Sequence, residues 1–335
     1  MMKKIYNYFV ILVFAPFFIL EVLKYKFFKK KNTYLSYQYM IKLFALFDGV
    51  VINILSKFLS QEKIVFENNY PNNFLFIDYD YDKINYDLLN CGYYLHKNKI
   101  DKKLIDNINS EIIKINGKYS SDLYSSNNYE KFDTNNPKGV KFIYKTNDLI
   151  KIDAIQNLLL DKQILTIAQN YLEALPIIDI VTAWWSCPSQ FADKNAAQYW
   201  HFDMDRPRWL KVFIFLTDCN IDNGPHSFIE GSHKNGGITN ILRSKGYQRL
   251  SDEEINNFYS QKKIKTFVAS KGSILFEDTR GLHKGIKLKS GNRLILQFQY
   301  STALFGSDIQ KIKLPQSNFF LDIFNKNKKI FQNFY

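Results

Sequence analysis

Residues 198–217 read QYWHFDMDRPRWLKVFIFLT and contain two predicted β-strands. The second strand, 210–217, consists mainly of β-branched and aromatic residues, which is typical of a strand buried in a sheet. In the first strand, 198–203, His201 and Asp203 are separated by one residue, so their side chains point to the same face. An imidazole and a carboxylate on one strand face can bind the same metal ion. One more ligand from across the sheet would complete three adjacent corners of an Fe(II) site.

The choice of a second imidazole ligand is narrow, because the chain contains five histidines. His96 lies in the mainly helical first part of the chain, and His226 and His233 flank a predicted turn. His283 lies between two predicted strands and is followed, ten residues later, by Arg293 on a strand. This spacing returns the chain to the same pocket, so His283 is the predicted third ligand.

Arg293 opens a predicted strand, 293–300, whose other residues read LILQFQY. A guanidinium buried at the start of such an apolar strand is costly without an anionic partner. Its planar fork also suits a carboxylate better than the point charge of a lysine does. The alternative is an arginine on an edge strand that reaches solvent. We predict that Arg293 anchors an acidic co-substrate beside the metal.

Helices in the first half of the chain and short strands in the second indicate an α+β fold that is mainly β. We expect a jelly-roll, cupin-like barrel with supporting helices and a helical N-terminal extension. Residues 61–90 show no clear periodicity, and 68–73 form a turn cluster. The later predicted elements are a strand at 92–95, a helix capped by Asp101, a polar loop at 120–139, helices at 149–160 and 163–174, and strands at 178–185, 198–203, 210–217, 273–276 and 293–300.

The net charge of +13 is concentrated near the N-terminus. Residues 1–60 carry nine lysines and two acidic residues beside the apolar runs 8–20 and 40–59. A nucleic-acid-binding protein more often carries its charge on the folded domain, so no nucleic-acid partner is expected. The first apolar run is shorter than the roughly 20 residues that span a bilayer. No cleavage site of a signal peptide follows it.

Two interpretations of residues 1–60 remain open. In the first, amphipathic helices lie on a membrane surface, with lysines facing anionic lipid headgroups. In the second, the helices pack on the catalytic domain, and a true membrane span is a third alternative. We expect residues 1–60 to be a basic, apolar helical extension and residues 86–320 to be the main domain.

The three cysteines, Cys91, Cys187 and Cys219, have neither a disulfide-framework nor a metal-binding spacing. A sparse, odd number of cysteines fits a reducing compartment. We therefore expect a cytoplasmic protein, and peripheral contact with the inner face of the membrane is the expectation under the first interpretation of residues 1–60.

Five motifs follow one another in the second half of the chain: His201-Phe202-Asp203, Asn223-Gly224-Pro225, Glu230-Gly231-Ser232-His233-Lys234, His283 and Arg293. Together they resemble the phytanoyl-CoA dioxygenase family. Residues 92–95 and the helix after them match the usual opening of the domain in that family. The resemblance spans about residues 86–303 and leaves the first 60 or so unexplained.

Members of this family are Fe(II)- and 2-oxoglutarate-dependent oxygenases with a double-stranded β-helix. The resemblance implies that His201, Asp203 and His283 bind the iron and that Arg293 holds the distal carboxylate of 2-oxoglutarate. It also implies hydroxylation of a small organic substrate with O₂, and release of succinate and CO₂. One departure from the family is Gly285, which stands where members often have Ser or Thr.

Trp184 and Gln198 lie on predicted strands beside the metal-binding strand. They either contact the co-substrate in the pocket or belong to the barrel core. The carboxylate of Asp203 argues against halogenation, because related halogenases have a small residue there. The basic, apolar N-terminus favours a lipid- or glycan-linked substrate. The alternative from another functional class is a non-catalytic jelly-roll binding module at a membrane surface.

Overall fold

A computed structural model describes residues 2–28, 30–66, 80–96, 100–122 and 124–335, with side chains from residue 12 onward. The turn predicted at 68–73 lies outside the described residues. The strands are β1 (Tyr93–His96), β2 (Gly117–Tyr119), β3 (Lys141–Tyr144), β4 (Ile177–Ser186), β5 (Trp209–Phe215), β6 (His226–Ile229), β7 (Ile264–Phe267), β8 (Ile274–Glu277), β9 (His283–Gly285) and β10 (Arg293–Ser301).

The strands form two antiparallel sheets. The major sheet has the order β1-β8-β5-β10-β4-β3-β2, and the minor sheet has the order β7-β6-β9. Phe213 and Ile295 of the major sheet share one apolar cluster with Phe228 and Phe267 of the minor sheet. The two sheets therefore face each other across a common interior. The predicted fold class, a mainly β jelly-roll barrel of the double-stranded β-helix type with supporting helices, is confirmed.

Helices precede and cover the major sheet. They are α1 (Met2–Phe28), α2 (Tyr34–Phe47), α3 (Val50–Leu59), α4 (Tyr81–Cys91), α5 (Lys102–Ile112), α6 (Thr146–Leu149), α7 (Asp153–Leu159), α8 (Lys162–Leu172), α9 (Asn240–Arg243), α10 (Asp252–Asn256) and α11 (Asn318–Lys326). Asp101 caps α5 as predicted, because its carboxylate accepts the backbone N–H of Leu104.

Two expectations about local structure are wrong. Residues 61–90 were expected to be irregular, but α4 occupies the end of that segment and is capped by Asp80. Only Ile84 and Leu88 of this helix are buried, so its apolar periodicity is too weak to detect. The strand expected at 198–203 is reduced to isolated bridges at Trp200 and His201.

The N-terminal extension packs against the barrel on one side. The rings of Phe18 and Tyr25 in α1 meet Phe305 edge-on, at centroid distances of 5.8 and 5.7 Å. The hydroxyl of Tyr25 accepts the backbone N–H of Leu304 at 2.7 Å. Extension and barrel therefore share one hydrophobic core.

The opposite side of α1 is apolar and exposed. Leu12 is 74% exposed, Leu20 50% and Phe27 68%, and Val13, Ile19 and Leu23 lie on the same side of the helix. Among the described residues, no helix is both long enough and apolar enough to cross a bilayer. One face of the extension packs on the barrel, as in the second interpretation. The exposed apolar face of α1 is also compatible with the first interpretation.

Candidate metal centre and co-substrate site

His201, Asp203 and His283 meet inside the barrel. His201 forms an isolated antiparallel bridge to His283 of β9 through two backbone hydrogen bonds of 3.0 and 2.8 Å. The Nε2 atoms of His201 and His283 lie 3.7 and 3.6 Å from the two carboxylate oxygens of Asp203. All three side chains are buried, and their ligand atoms lie within 4.8 Å of one another. Two imidazoles and one carboxylate in this arrangement are the ligand set of a non-haem Fe(II) site.

Hydrogen bonds fix the orientation of both imidazoles. His201 Nδ1 lies 2.9 Å from the carbonyl oxygen of Tyr199, and His283 Nδ1 lies 2.9 Å from that of Gly281. Because a carbonyl can only accept, each Nδ1 carries the proton and each Nε2 keeps a lone pair directed towards Asp203. A second hydrogen bond of this kind is what orients a metal-bound histidine. The residues present therefore fit a metal ion.

The protonation states of the three side chains also suit a metal. Burial lowers the pKa of His201 well below its usual value, and the neighbouring His283 lowers it further. Burial lowers the pKa of His283 as well. Burial alone would raise the pKa of Asp203, but the Lys211 ammonium and the two histidines hold it below its usual range. At neutral pH the site therefore offers two neutral imidazoles and one carboxylate.

Lys211 is part of this centre, and the sequence analysis did not identify it. Its Nζ lies 2.5 Å from Asp203 Oδ2 and 3.8 Å from Asp205. The side chain lies on the inner face of β5 and is only 11% exposed. A single lysine within the otherwise apolar run LKVFIFLT is the signal that could have found it, because a lysine in a buried strand requires an anionic partner.

Arg293 is buried without a carboxylate partner among the described residues. Only 6% of the residue is exposed, and burial lowers the pKa of its guanidinium. Nε and Nη1 have no hydrogen-bond partner, while Nη2 donates to Ser186 Oγ at 3.4 Å. A buried cation with unpaired donors is costly, so the geometry favours an anion here, and Arg293 as the anchor of a co-substrate carboxylate stays a prediction.

Three polar side chains lie side by side on neighbouring strands around Arg293. Lys141 on β3 and Arg293 on β10 both pair with Ser186 on β4, so all three point to the barrel interior. A Cβ added to Gly285 would lie 4.0 Å from Arg293 Nη2. Gly285 itself carries no hydroxyl, and the hydroxyl of Ser186 on the major sheet lies 3.4 Å from Arg293 Nη2.

The two remaining predicted site residues lie in different settings. Trp184 is on the inner face of β4, where Lys141 Nζ lies 5.4 Å from its ring centroid and Phe213 packs against it. Gln198 lies in a loop rather than a strand, and its side-chain oxygen accepts the N–H of Asp193 at 2.9 Å. Trp184 therefore faces the interior, whereas the observed contact of Gln198 shapes the loop.

A second pair, the partly buried His226 and the fully buried Glu277, lies beside the metal ligands and was not predicted. His226 Nε2 is 2.9 Å from Glu277 Oε1, and the rings of His226 and His283 are 5.5 Å apart. Burial lowers the pKa of His226 to about 3 and raises that of Glu277 to about 8. These shifts favour the uncharged form of both groups, in which the protonated Glu277 carboxyl donates a hydrogen bond to His226 Nε2 and orients the ring beside His283.

Comparisons with known proteins agree with this site. The family model of phytanoyl-CoA dioxygenase (PhyH) matches residues 187–293, which include all four residues of the predicted iron and co-substrate site. A comparison with curated proteins gave no match.

Solved structures give more distant similarities. The epimerase SnoN in complex with Fe3+, alpha ketoglutarate and nogalamycin RO is 14% identical, with a TM-score of 0.46 over 66% of this chain and 83% of that chain. HygX from Streptomyces hygroscopicus with nickel and 2-oxoglutarate bound is 14% identical, with a TM-score of 0.47 over 69% and 90%. EctD from S. alaskensis with bound Fe is 14% identical, with a TM-score of 0.46 over 72% and 80%.

The family match and the ligand cluster coincide in one part of the chain. Residues 187–293 supply His201, Asp203, His283 and Arg293, and the barrel brings these side chains into one interior. The resemblance found in the motifs is thus confirmed: the part of the chain that forms the site matches the phytanoyl-CoA dioxygenase family, and this match supports an oxygenase-type function.

Proposed function

We propose that this protein is an Fe(II)- and 2-oxoglutarate-dependent dioxygenase that hydroxylates a small organic substrate. In this proposal His201, Asp203 and His283 bind the iron. The observation that carries the proposal is the pair of Nδ1–carbonyl hydrogen bonds, which leave both Nε2 lone pairs free beside an ionised carboxylate. An ordinary buried histidine cluster would not need both rings oriented towards one carboxylate.

The residues around the cluster have separate tasks. Lys211 neutralises one oxygen of Asp203 and holds the carboxylate in place while its other oxygen faces His201. Arg293 binds the distal carboxylate of 2-oxoglutarate with the two donors that have no protein partner, and Ser186 adds a hydroxyl beside it. When bound, Fe(II), 2-oxoglutarate and O₂ supply the oxidation, in which 2-oxoglutarate is converted to succinate and CO₂.

The barrel interior restricts what can approach the cluster. Lys141, Trp184 and Gln297 face the interior from the major sheet, so polar and aromatic groups alternate there. Burial lowers the pKa of Lys141 to about 8, so part of the population is uncharged near neutral pH. These side chains favour a polar organic substrate over a bare hydrocarbon.

The first test of the function is succinate release from 2-oxoglutarate by the full-length protein, with and without added Fe(II). We expect iron-dependent succinate formation that Asp203→Ala lowers at least about 100-fold, because one of three metal ligands is lost. The exposed Asp222→Ala is the matched control and should behave as the wild type. Equal turnover by Asp203→Ala and wild type, or no iron-dependent signal at all, would refute the proposal.

We further propose that residues 1–60 hold the protein at a membrane surface, as a helical extension of a catalytic domain at 86–320. The support is the uncovered apolar face of α1 together with the excess of lysines in this segment. An in-plane helix buries its apolar face in the lipid interface while lysines meet anionic headgroups. A lipid- or glycan-linked substrate would then reach the barrel from the membrane.

A further inference from the structure

A cavity of about 550 Å³ lies between α3 of the extension and the barrel. Its walls come from α3, the end of α8, the segment before β5 and the loop after β6. The four residues of the proposed iron and 2-oxoglutarate site do not line it. It is therefore a second concave site, formed only because the extension packs on the barrel.

The cavity is lined by four cationic side chains: Lys57, Arg208, Lys234 and Arg280. The charge of Arg280 is matched, because its guanidinium binds the buried carboxylate of Asp278 at 2.6 Å. The other three have no such buried partner among the described residues.

Arg208 is held in place but keeps an unpaired donor. Its Nη2 donates to the carbonyl of Tyr171 at 2.6 Å, and its guanidinium lies 4.9 Å from the centroid of the Tyr171 ring. Nε is buried and has no hydrogen-bond partner in the described part of the chain. The nearest carboxylate, on Glu173, is 3.9 Å away and mostly exposed. A preorganised guanidinium with an unused donor is suited to an anion.

Lys57 and Lys234 line the cavity from the extension and from the barrel, respectively. Lys57 is on α3, and Lys234 follows β6 and donates to the side chain of Asn90 at 3.0 Å. Neither ammonium forms an ion pair within the part of the chain that the structure describes. An anion between them would connect the extension to the barrel.

The sequence of α3 divides the helix into three stripes. Ile52, Leu55 and Leu59 are buried in the core. Four polar residues spaced by three and four face the cavity: Asn53, Ser56, Lys57 and Ser60. Beside them runs a third stripe of exposed apolar side chains, Val50, Ile54 and Phe58. A polar cavity bordered by an uncovered apolar stripe fits an amphiphile.

We propose that this cavity binds a phosphate ester, with the phosphate between Lys57, Arg208 and Lys234 and any apolar portion along Val50, Ile54 and Phe58. A doubly or singly ionised phosphate matches the fork of an arginine and the point charges of two lysines. The same chemistry is offered by the headgroup of an anionic phospholipid and by a soluble phosphate ester. The site goes beyond the oxygenase reaction, because its lining residues lie apart from the iron ligands.

Binding of glycerol 3-phosphate to the full-length protein, measured by titration calorimetry, tests the proposal. The double variant Lys57→Gln/Lys234→Gln should bind about tenfold more weakly or worse, because two charge-assisted contacts are lost. Both lysines are exposed, so the fold should be retained. Lys42→Gln, an exposed lysine of α2 outside the cavity, is the matched control and should bind as the wild type.

Vesicles distinguish the two sources of the phosphate. If the double variant also binds phosphatidylcholine vesicles containing phosphatidylglycerol more weakly than Lys42→Gln does, the ligand is a lipid headgroup. If only glycerol 3-phosphate binding falls, the ligand is a soluble phosphate ester. If the double variant and Lys42→Gln bind every phosphate probe equally, the proposal is wrong.

Loss of the iron site should leave this binding unchanged. Asp203→Ala is expected to bind glycerol 3-phosphate as the wild type does, since Asp203 does not line the cavity. Failure of the oxygenase reaction and failure of phosphate binding are therefore separate results.

Discussion

At the scale of single residues, the charges of Arg293 and Lys211 identify the site, because both lie in the barrel interior. Lys211 is neutralised within the protein by Asp203, whereas two donors of Arg293 have no partner among the residues that the structure describes. A protein interior tolerates a paired charge far better than an unpaired one. The unpaired guanidinium therefore indicates where an external anion binds, and the paired ammonium indicates which carboxylate must remain ionised.

Substitution of Arg293 should separate co-substrate binding from metal binding. We expect Arg293→Gln to raise the KM for 2-oxoglutarate about 10- to 100-fold, because a charge-assisted pair contributes roughly 1.5–3 kcal/mol. Arg293→Lys keeps the charge but loses the planar fork of the guanidinium. Its KM for 2-oxoglutarate should lie between the values of Arg293→Gln and the wild type.

Co-substrate binding to Arg293 can also be measured without catalysis, from the Tm. Saturating 2-oxoglutarate should raise the Tm of the wild type with a redox-inactive divalent metal, and should raise that of Arg293→Gln much less. Metal affinity, measured by titration, should be similar in both. An equal Tm increase in both proteins would show that Arg293 does not hold the co-substrate.

At the scale of secondary-structure elements, backbone pairing and one helix position the metal ligands. The isolated bridge between His201 and His283 sets two ligands side by side, and the N–H of Asp203 donates to Thr279 at 2.8 Å. Helix α8 supports the same segment from outside, since the hydroxyl of its Tyr171 binds the carboxylate of Asp278. Helix α8 therefore helps to hold the segment that leads into His283 in place.

The N-cap of α8 offers a test at this scale. Asp161 accepts the backbone N–H groups of Gln163 and Ile164 at 2.8 and 3.1 Å and is fully buried. Asp161→Ala should lower the free energy of unfolding by about 1–2 kcal/mol, because two helix donors lose their acceptor.

Urea denaturation of the purified protein measures this change. Asp153→Ala, in the exposed first turn of α7, where no side chain caps the helix, is the control and should change stability by less than about 0.5 kcal/mol. If the two variants are equally stable, the cap of α8 does not contribute as argued.

For the whole molecule, the extension is a layer with two different faces. Its inner face joins the barrel core through Phe18, Tyr25 and Phe44, and Phe44 meets Phe202, between the two ligands of the metal-binding motif. On its outer face an apolar strip of α1 is exposed, and none of the described residues packs over it. A monomer rarely exposes so continuous an apolar strip without a partner surface.

Vesicle sedimentation tests the membrane contact on the intact chain. The variant Leu20→Gln/Phe27→Gln should bind vesicles containing phosphatidylglycerol about tenfold more weakly than the wild type, since two apolar side chains no longer enter the interface. The residues are exposed, so the barrel should keep its fold and its succinate release.

A matched pair on the barrel provides the control. Ile221→Gln/Ile241→Gln removes two exposed apolar side chains of similar size away from α1 and should bind vesicles as the wild type does. Equal sedimentation of both double variants and the wild type would contradict the membrane proposal.

The sequence by itself determined the fold class, the strands 210–217 and 293–300, and the candidate ligands. These depend on local signals: apolar periodicity, residue alternation on a strand, and the small number of histidines. It missed α4, because only two of its side chains reach the core. It also placed Gln198 on a strand, although the backbone turns there and bonds the side chain to its own loop.

Only the tertiary structure decided which charges lack a partner. Lys211, Ser186 and Glu277 lie far from one another in sequence, and the register of the strands brings them to the interior of the barrel. The packing of α3 on the barrel likewise creates the basic cavity, which no segment contains alone. The pattern of apolar and polar residues along the chain indicates which residues are buried. Which distant residues become neighbours depends on the strand register and on helix packing.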